Sequence, residues 1–141
     1  MLRIPLAIAC AAVVLAGCRS AAPVASPPAR SAAQVVNEQL EMYNAQDLEG
    51  FLRTYADDAV IVAGGKSIAQ GKQAMRERYG KMFKSFPNNR CSVAEQRTEG
   101  VRVVLIHEII TGRAPEHPDP WDVGWVRYEV DDGVIKRVEL P

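Results

Sequence analysis

The spacing of apolar residues changes near residue 90, and this change restricts the possible fold more than any other feature of the chain. Before residue 90, apolar side chains recur every three or four residues, as on one face of a helix. From residue 90 onward they recur at every second residue, which is the period of β-strands. Helices followed by a run of strands predict an α+β domain.

The first part of the domain contains signals for three helices and one strand. The capping box Ser31-Ala32-Ala33-Gln34 predicts a first helix over about 32–45. Asp47 can cap a short second helix, whose apolar positions recur at helical spacing as Leu48, Phe51, Leu52 and Tyr55. The β-branched run at 59–63 predicts a buried strand, and a third helix is expected beyond Gly71.

The second part predicts four strands, near 90–98, 101–111, 122–131 and 134–140, with a hairpin around Asp132-Gly133 joining the last two. The strand at 101–111 is apolar on both faces: Val101, Val103, Leu105, His107 and Ile109 alternate with Arg102, Val104, Ile106, Glu108 and Ile110. Both faces of such a strand must be covered by other parts of the protein. We expect the domain's own helices on one side and the sheet of a second copy on the other, giving a homodimer.

The N-terminal segment has the pattern of an export signal. A basic start containing Arg3 precedes an apolar stretch, Ile4 to Leu15, that is too short for a lasting membrane span. Leu15-Ala16-Gly17-Cys18 resembles the lipobox of bacterial lipoproteins, which implies that residues 1–17 are a signal peptide and that Cys18 receives the lipid. Several acyl chains would anchor the protein permanently to a membrane. The other interpretation is an ordinary signal followed by an accidental cysteine.

Residues 18–30 are interpreted as the lipidated cysteine and a tether. The tether contains three prolines and has no apolar period, so extended conformers reaching roughly 35 to 40 Å are expected. Arg19 follows the cysteine, where an aspartate would resemble an inner-membrane retention signal. The expected location is therefore the outer membrane, with the folded domain, residues 31–141, facing the periplasm.

Charge and cysteine content narrow the function classes. The chain has 17 basic and 17 acidic residues, and removing residues 1–17 takes away Arg3 alone, so 16 basic and 17 acidic residues remain. With no basic run longer than a pair, nucleic acid is not expected as a partner. Cys91 would be the one cysteine left in the domain and is interpreted as a small buried hydrophobe. The sequence has no HExxH or CxxC pattern, so no metal or cofactor is expected.

Four segments together resemble the nuclear transport factor two-like superfamily, in particular its SnoaL-like and ketosteroid-isomerase-like branch. They are Tyr43-Asn44-Ala45-Gln46-Asp47-Leu48-Glu49-Gly50-Phe51, Tyr55-Ala56-Asp57-Asp58-Ala59-Val60, Gly71-Lys72-Gln73-Ala74-Met75 and Asp132-Gly133-Val134-Ile135. The resemblance spans about residues 32–140. It implies a cystatin-like roll, in which a cone-shaped, curved antiparallel sheet wraps around three N-terminal helices and leaves an apolar hollow. Such a fold carries many activities.

The catalytic residues of the ketosteroid isomerases are missing from the corresponding positions. The position of the family's tyrosine falls on Gln39, and that of its carboxylate base falls on Ala63. The second acid aligns near Gly124, next to Asp122. Without a base, the enolisation performed by that family is not expected here.

Of the remaining polar residues, His107 is the first catalytic candidate. It interrupts an apolar face and could act as a general base, with Tyr43 or Asp122 assisting. The alternative is a core histidine that is hydrogen-bonded to a neighbouring element. Glu108 points to the opposite face of the same strand, so it cannot form an acid–base pair with His107.

Aromatic residues are the candidates for a ligand pocket. Trp121 and Trp125 could line the mouth of the hollow or the dimer face, and Tyr55 and Tyr79 lie on apolar helical faces. Core packing is the alternative for each of them. The paired carboxylates Asp57-Asp58 are expected to cap a turn.

The sequence therefore leaves three functions open. The first is a membrane-tethered domain that binds a small apolar or carbonyl-bearing molecule in its cone. The second is a cofactor-free isomerase, cyclase or dehydratase that uses His107. The third is an envelope accessory protein that docks a partner chain on the apolar outer face of its sheet.

Overall fold

The computed structural model describes residues 28–141, so the predicted signal peptide, Cys18 and most of the predicted tether lie outside the described residues. The helices are α1 (Ala32–Ala45), α2 (Leu48–Arg53) and α3 (Gly71–Ser85). The strands are β1 (Tyr55–Ala63), β2 (Lys66–Gln70), β3 (Arg90–Glu99), β4 (Val103–Thr111), β5 (Trp121–Asp131) and β6 (Val134–Leu140). Within residues 28–141, none of the helices combines the length and apolarity that a membrane span requires.

The first two helices begin where their capping residues predict. Ser31 Oγ accepts a hydrogen bond from the Gln34 N–H at 3.2 Å, and the Gln34 side chain accepts one from the Ser31 N–H at 2.8 Å. Asp47 caps α2 by accepting a hydrogen bond from the Gly50 N–H at 2.9 Å. Between the two helices, Gln46 adopts a left-handed conformation with φ 54° and ends α1. This sharp connection folds α2 back against α1.

All six strands form one curved sheet in the order β2-β1-β6-β5-β4-β3. Every neighbouring pair is antiparallel except β1 and β6, which run parallel. The prediction of antiparallel strands is therefore confirmed for β3 to β6. The strand β1, which comes early in the chain, lies beside the last strand, β6, and runs in the same direction. This pairing completes the sheet that curves around the helices.

The structure differs from the sequence-based expectations at three places. Tyr55, predicted on the second helix, begins β1, because α2 ends at Arg53. The strand β2 was not predicted: its polar sequence gives little apolar signal, and it forms a hairpin with β1 through Gly64 and Gly65, both at positive φ. Val101, predicted on one face of a strand, lies in the β3–β4 turn and is 87% exposed.

The two faces of β4 have different neighbours. Val104, Ile106, Glu108 and Ile110 are buried on the inner face, which the helices cover. Val103, Leu105, His107 and Ile109 lie half-buried on the outer face. Behind the inner face, the helices and β1 contribute a cluster of aromatic rings whose centroids are 4.5 to 6.5 Å apart: Tyr43, Phe51, Tyr55, Tyr79 and Phe83. This cluster fixes α1, α2 and α3 to one another and to the sheet.

The sheet has two distinct ends. Thr111 and Trp121 meet at one end, where β4 stops and β5 starts. At the opposite end lie Asp131, Gly133 and the turn before β4. The described chain also starts at this opposite end, where the Arg30 guanidinium donates a hydrogen bond to the Gly133 carbonyl at 3.1 Å. With nine residues in β4, the two ends are about 30 Å apart.

Candidate functional site

A cavity of about 720 Å³ lies between the helices and the inner face of the sheet. Its deep wall is formed by buried residues, among them Gln39, Tyr55, Glu108 and Tyr128. The exposed lining residues lie on α3 and on the β4–β5 loop, so the cavity opens at the end of the sheet marked by Thr111 and Trp121. A volume of this size holds a small organic molecule.

Glu108 is the polar centre of the cavity. Only 7% of this residue is exposed, and its carboxyl group accepts a hydrogen bond from the Tyr128 hydroxyl on β5. The Cys91 thiol on β3 lies beside the same carboxyl. Burial raises the pKa of the Glu108 carboxyl, although the hydrogen bonds from Tyr128 and Cys91 act in the opposite direction. Removal from water thus favours the protonated acid.

A second polar pair lies against α1. The Asn89 amide donates a hydrogen bond to the Tyr43 hydroxyl at 2.6 Å. Burial raises the pKa of the Tyr43 phenol to about 12, so this group keeps its proton at neutral pH. Within the described part of the chain, Gln39 Oε1 and Asn89 Oδ1 are buried without a hydrogen-bond partner. Gln39 lines the cavity, whereas Asn89 does not, so of the two it is the Gln39 amide that lies next to the space for a ligand.

The β4–β5 loop and α3 form the rim of the cavity. Arg113, Glu116 and His117 contribute from the loop, and the His117 ring stacks on Trp121 with centroids 3.7 Å apart. The charged lining residues of α3 are Glu77, Arg78 and Lys81. The rim therefore contains both charge signs, whereas the interior is aromatic, aliphatic and nearly uncharged.

His107 lies on the other side of the sheet. Its Nε2 is 2.7 Å from Asp122 Oδ1, and its ring packs near Trp125 on the outer face, with centroids 5.5 Å apart. Arg97 covers Trp125, with its guanidinium carbon 4.5 Å from the ring centroid. The hydrogen bond from His107 lowers the pKa of the exposed Asp122 carboxyl. This group is a polar cluster on the outer face.

Two of the three predicted catalytic residues, His107 and Asp122, are therefore brought together, but on the outer face and away from Tyr43. Tyr43 lines the cavity, but His107 and Asp122 do not, because β4 alternates and the cavity lies on the side of Glu108. The expected arrangement of a His107 base assisted by Tyr43 needs correction for this reason. The correct part of the expectation is that His107 and Glu108 face opposite sides of the strand.

The predicted ligand-pocket residues divide in the same way. Tyr55, Tyr79 and Trp121 line the cavity, whereas Trp125 lies outside it. Gln39 and Ala63, the residues at the ketosteroid isomerase positions, also line the cavity but supply neither a phenol nor a carboxylate. Asp57 and Asp58, expected to cap a turn, instead lie exposed within β1.

Sequence reasoning missed Glu108 and Tyr128 as a site. A signal was present, since Glu108 stands between Ile106 and Ile110 on an otherwise apolar face. An acidic residue at such a position needs a buried partner or a function. Among residues 28–141, no three or more His, Cys, Asp or Glu side chains are grouped as a metal site.

Solved structures confirm the fold. An uncharacterized cystatin-fold protein from Novosphingobium aromaticivorans is 25% identical, with a TM-score of 0.71 over 79% of this chain and 98% of that protein. A putative polyketide cyclase from Sinorhizobium meliloti is 23% identical, with a TM-score of 0.66 over 76% and 93% of the two chains.

A protein from Mycobacterium tuberculosis, solved in complex with estradiol-17β-hemisuccinate, is 18% identical. Its TM-score is 0.63, over 79% of this chain and 93% of that protein. No curated protein matches the sequence. The model of the SnoaL-like domain family matches residues 36–138, which run from within α1 to within β6. The chain therefore belongs to the SnoaL-like domain family.

Proposed function

We propose that this domain binds a small, largely apolar molecule bearing a carbonyl or hydroxyl group, with that oxygen at Glu108. The observation that carries the proposal is the Glu108–Tyr128 hydrogen bond inside an aromatic cavity of about 720 Å³. An apolar cavity with a few converging polar groups is the usual form of a small-molecule site.

The protonation state of Glu108 gives the site its selectivity. Tyr128 donates to the carboxyl, and burial favours the acid form, so the acid O–H of Glu108 can donate to a ligand oxygen. A ligand without an oxygen leaves that donor unpaired, which is costly in a dry cavity. A protein of the same fold from Mycobacterium tuberculosis was solved in complex with estradiol-17β-hemisuccinate, which supports binding of a bulky, largely apolar molecule.

Isothermal titration of two ligands with the same ring system, 2-acetylnaphthalene and 2-ethylnaphthalene, tests the proposal. The double variant Glu108→Met/Tyr128→Phe removes both polar partners together and leaves no unpaired group. It should weaken binding of the ketone about tenfold and strengthen binding of the hydrocarbon, because the hydrocarbon no longer leaves a polar group unpaired. An equal effect on both ligands, or no binding of either by the wild type, would contradict the proposal.

Catalysis is the second candidate function, and the position of Glu108 favours it. A buried carboxyl with a raised pKa in a cavity has the properties of a general acid or base, so Glu108 takes the place that the sequence suggested for His107. A cofactor-free isomerase, cyclase or dehydratase fits such a group. Glu108→Gln should abolish turnover of a substrate while retaining its binding. Loss of turnover in His107→Asn instead would exclude this assignment.

The membrane anchor belongs to the same proposal. Support comes from Leu15-Ala16-Gly17-Cys18 and from the apolar segment before it. The intact precursor expressed in a bacterial host should enter the detergent phase of Triton X-114, and Cys18→Ala should remain in the aqueous phase. Normal partitioning of Cys18→Ala would refute lipidation at this residue.

A homodimer through the outer face of the sheet is also proposed. Val103, Leu105 and Ile109 lie there only half-buried, as expected for a face that a second copy completes. Native mass spectrometry should give twice the monomer mass. A monomer that gains a different chain on this face would favour the accessory-protein alternative.

A further inference from the structure

Arg113 at the cavity rim is a largely buried cation without an adequate counterion. Its side chain is only 13% exposed, and its buried Nε–H has no hydrogen-bond partner among residues 28–141. The nearest carboxylate is that of Glu116, which is 58% exposed and 3.4 Å from Nη2. A guanidinium that has lost this much water normally has a close, bidentate anionic partner.

The other contacts of Arg113 are with soft or apolar groups. Nη1 lies 3.1 Å from Met82 Sδ, a weak acceptor. The guanidinium carbon lies 4.7 Å from the centroid of the Phe86 ring. Met82 and Phe86 both line the cavity, so these contacts hold the guanidinium at its edge. The charge is thus fixed in position but poorly neutralised.

The charge also acts inside the cavity. Burial raises the pKa of the Tyr43 phenol to about 12, and the Arg113 charge opposes that rise. Glu108 lies five residues before Arg113, so the two are at most about 18 Å apart along an extended chain. One ligand of moderate length could therefore contact both the buried acid and the cation at the rim.

We propose that the natural ligand is an amphipathic anion, whose carboxylate or similar acidic group pairs with Arg113 while its apolar body fills the cavity. The inference rests on the proposed binding function and adds the chemical class of the ligand. The planar guanidinium offers an oxyanion its two Nη groups, which contact the Met82 sulfur and the exposed Glu116 carboxylate. The exposed carboxylate of Glu116 then acts as a weak competitor for the same group.

Decanoate and 1-decanol test the inference, because they share one apolar chain and differ in the acidic group. Isothermal titration at pH 7.5 should show that Arg113→Met weakens decanoate binding about tenfold or more while changing decanol binding little. Arg113→Lys should retain part of the decanoate affinity. Glu116→Gln should strengthen it, because the competing carboxylate is removed.

Arg97→Met is the matched control, since Arg97 also covers an aromatic ring, Trp125, but on the outer face. It should change neither affinity. Equal weakening of both ligands by Arg113→Met would assign Arg113 a packing role and overturn the inference, as would unchanged decanoate binding. If the wild type binds decanol but not decanoate, the inference fails and the cavity function stands. If it binds neither, the proposed function fails as well.

Discussion

Two adjacent residues of β4 show that the two sides of the sheet place an ionisable group in different environments. Glu108 points inward, is almost completely removed from water and has a raised pKa. His107 points outward and meets Asp122, an exposed carboxylate whose pKa the histidine lowers. The inner environment shifts the equilibrium of the acid toward its protonated form, whereas the outer one pairs two groups that remain in contact with water. Chemistry that needs a perturbed acid is therefore favoured inside the cone.

The largest expected difference between the two sides concerns their aromatic residues. Phe51→Ala removes a fully buried ring from the inner cluster and should lower the free energy of unfolding by about 3 to 5 kcal/mol. Trp125→Ala removes an outer ring and should cost about 1 kcal/mol or less. Urea unfolding of both variants at low protein concentration measures the difference. Equal losses would show that the outer face is packed as tightly as the inner one.

The next largest effect is expected from the inner polar pair. Glu108→Met leaves the Tyr128 hydroxyl buried without its acceptor and should cost about 1 to 3 kcal/mol. Adding Tyr128→Phe should restore part of this loss, because no polar group then remains unpaired. A double-mutant cycle in urea measures the coupling. If the two losses simply add, Glu108 and Tyr128 do not act as a pair.

The pH dependence of stability should distinguish Glu108 from an ordinary carboxylate. Its pKa in the folded state is raised above the ordinary value of 4.5. Its contribution is therefore fully present below about pH 4.5 and is lost as pH rises through the folded pKa. Within that window the loss is at most about 1.4 kcal/mol per pH unit. Glu108→Gln does not titrate, so the stability of the wild type relative to this variant should fall from pH 4.5 upward. A relative stability that rises with pH would reverse the assignment.

The smallest effect is expected from the outer pair. Asp122→Asn keeps an oxygen for the Gly124 N–H but weakens the contact with His107. Thermal unfolding should shift by no more than about 3 °C, and ligand affinity should not change. His107→Asn should behave in the same way. A strong effect of either variant on ligand affinity would couple the outer face to the cavity.

The fold was largely predictable because its signals are local. The capping residues Ser31 and Asp47 fix the starts of two helices, and strict alternation identifies the C-terminal strands. The strand β2 escaped prediction because its five residues owe their strand conformation to pairing with β1 rather than to an apolar pattern. The Gly64-Gly65 turn is a local hairpin signal, but without apolar alternation in the five residues that follow it does not by itself identify a strand.

The site was harder to predict than the fold for one physical reason. Both faces of β4 are apolar, so periodicity separates His107 from Glu108 without showing which of them faces the cavity. That choice depends on where the helices pack. A histidine is the more obvious candidate for a base because its pKa lies near neutral pH, but burial can raise the pKa of a glutamate toward the same range. Tyr128, its partner, comes from another strand and becomes its neighbour only in the folded sheet.

The start of the described chain near Arg30 and the opening of the cavity lie at opposite ends of the sheet. The described chain starts beside Gly133, about 30 Å along the sheet from the end where the cavity opens. A domain held close to a bilayer by the residues that precede Arg30 would direct its opening away from that bilayer. Ligands would then enter from the surrounding aqueous compartment. A molecule leaving the lipid phase would have to diffuse around the domain to reach the entrance.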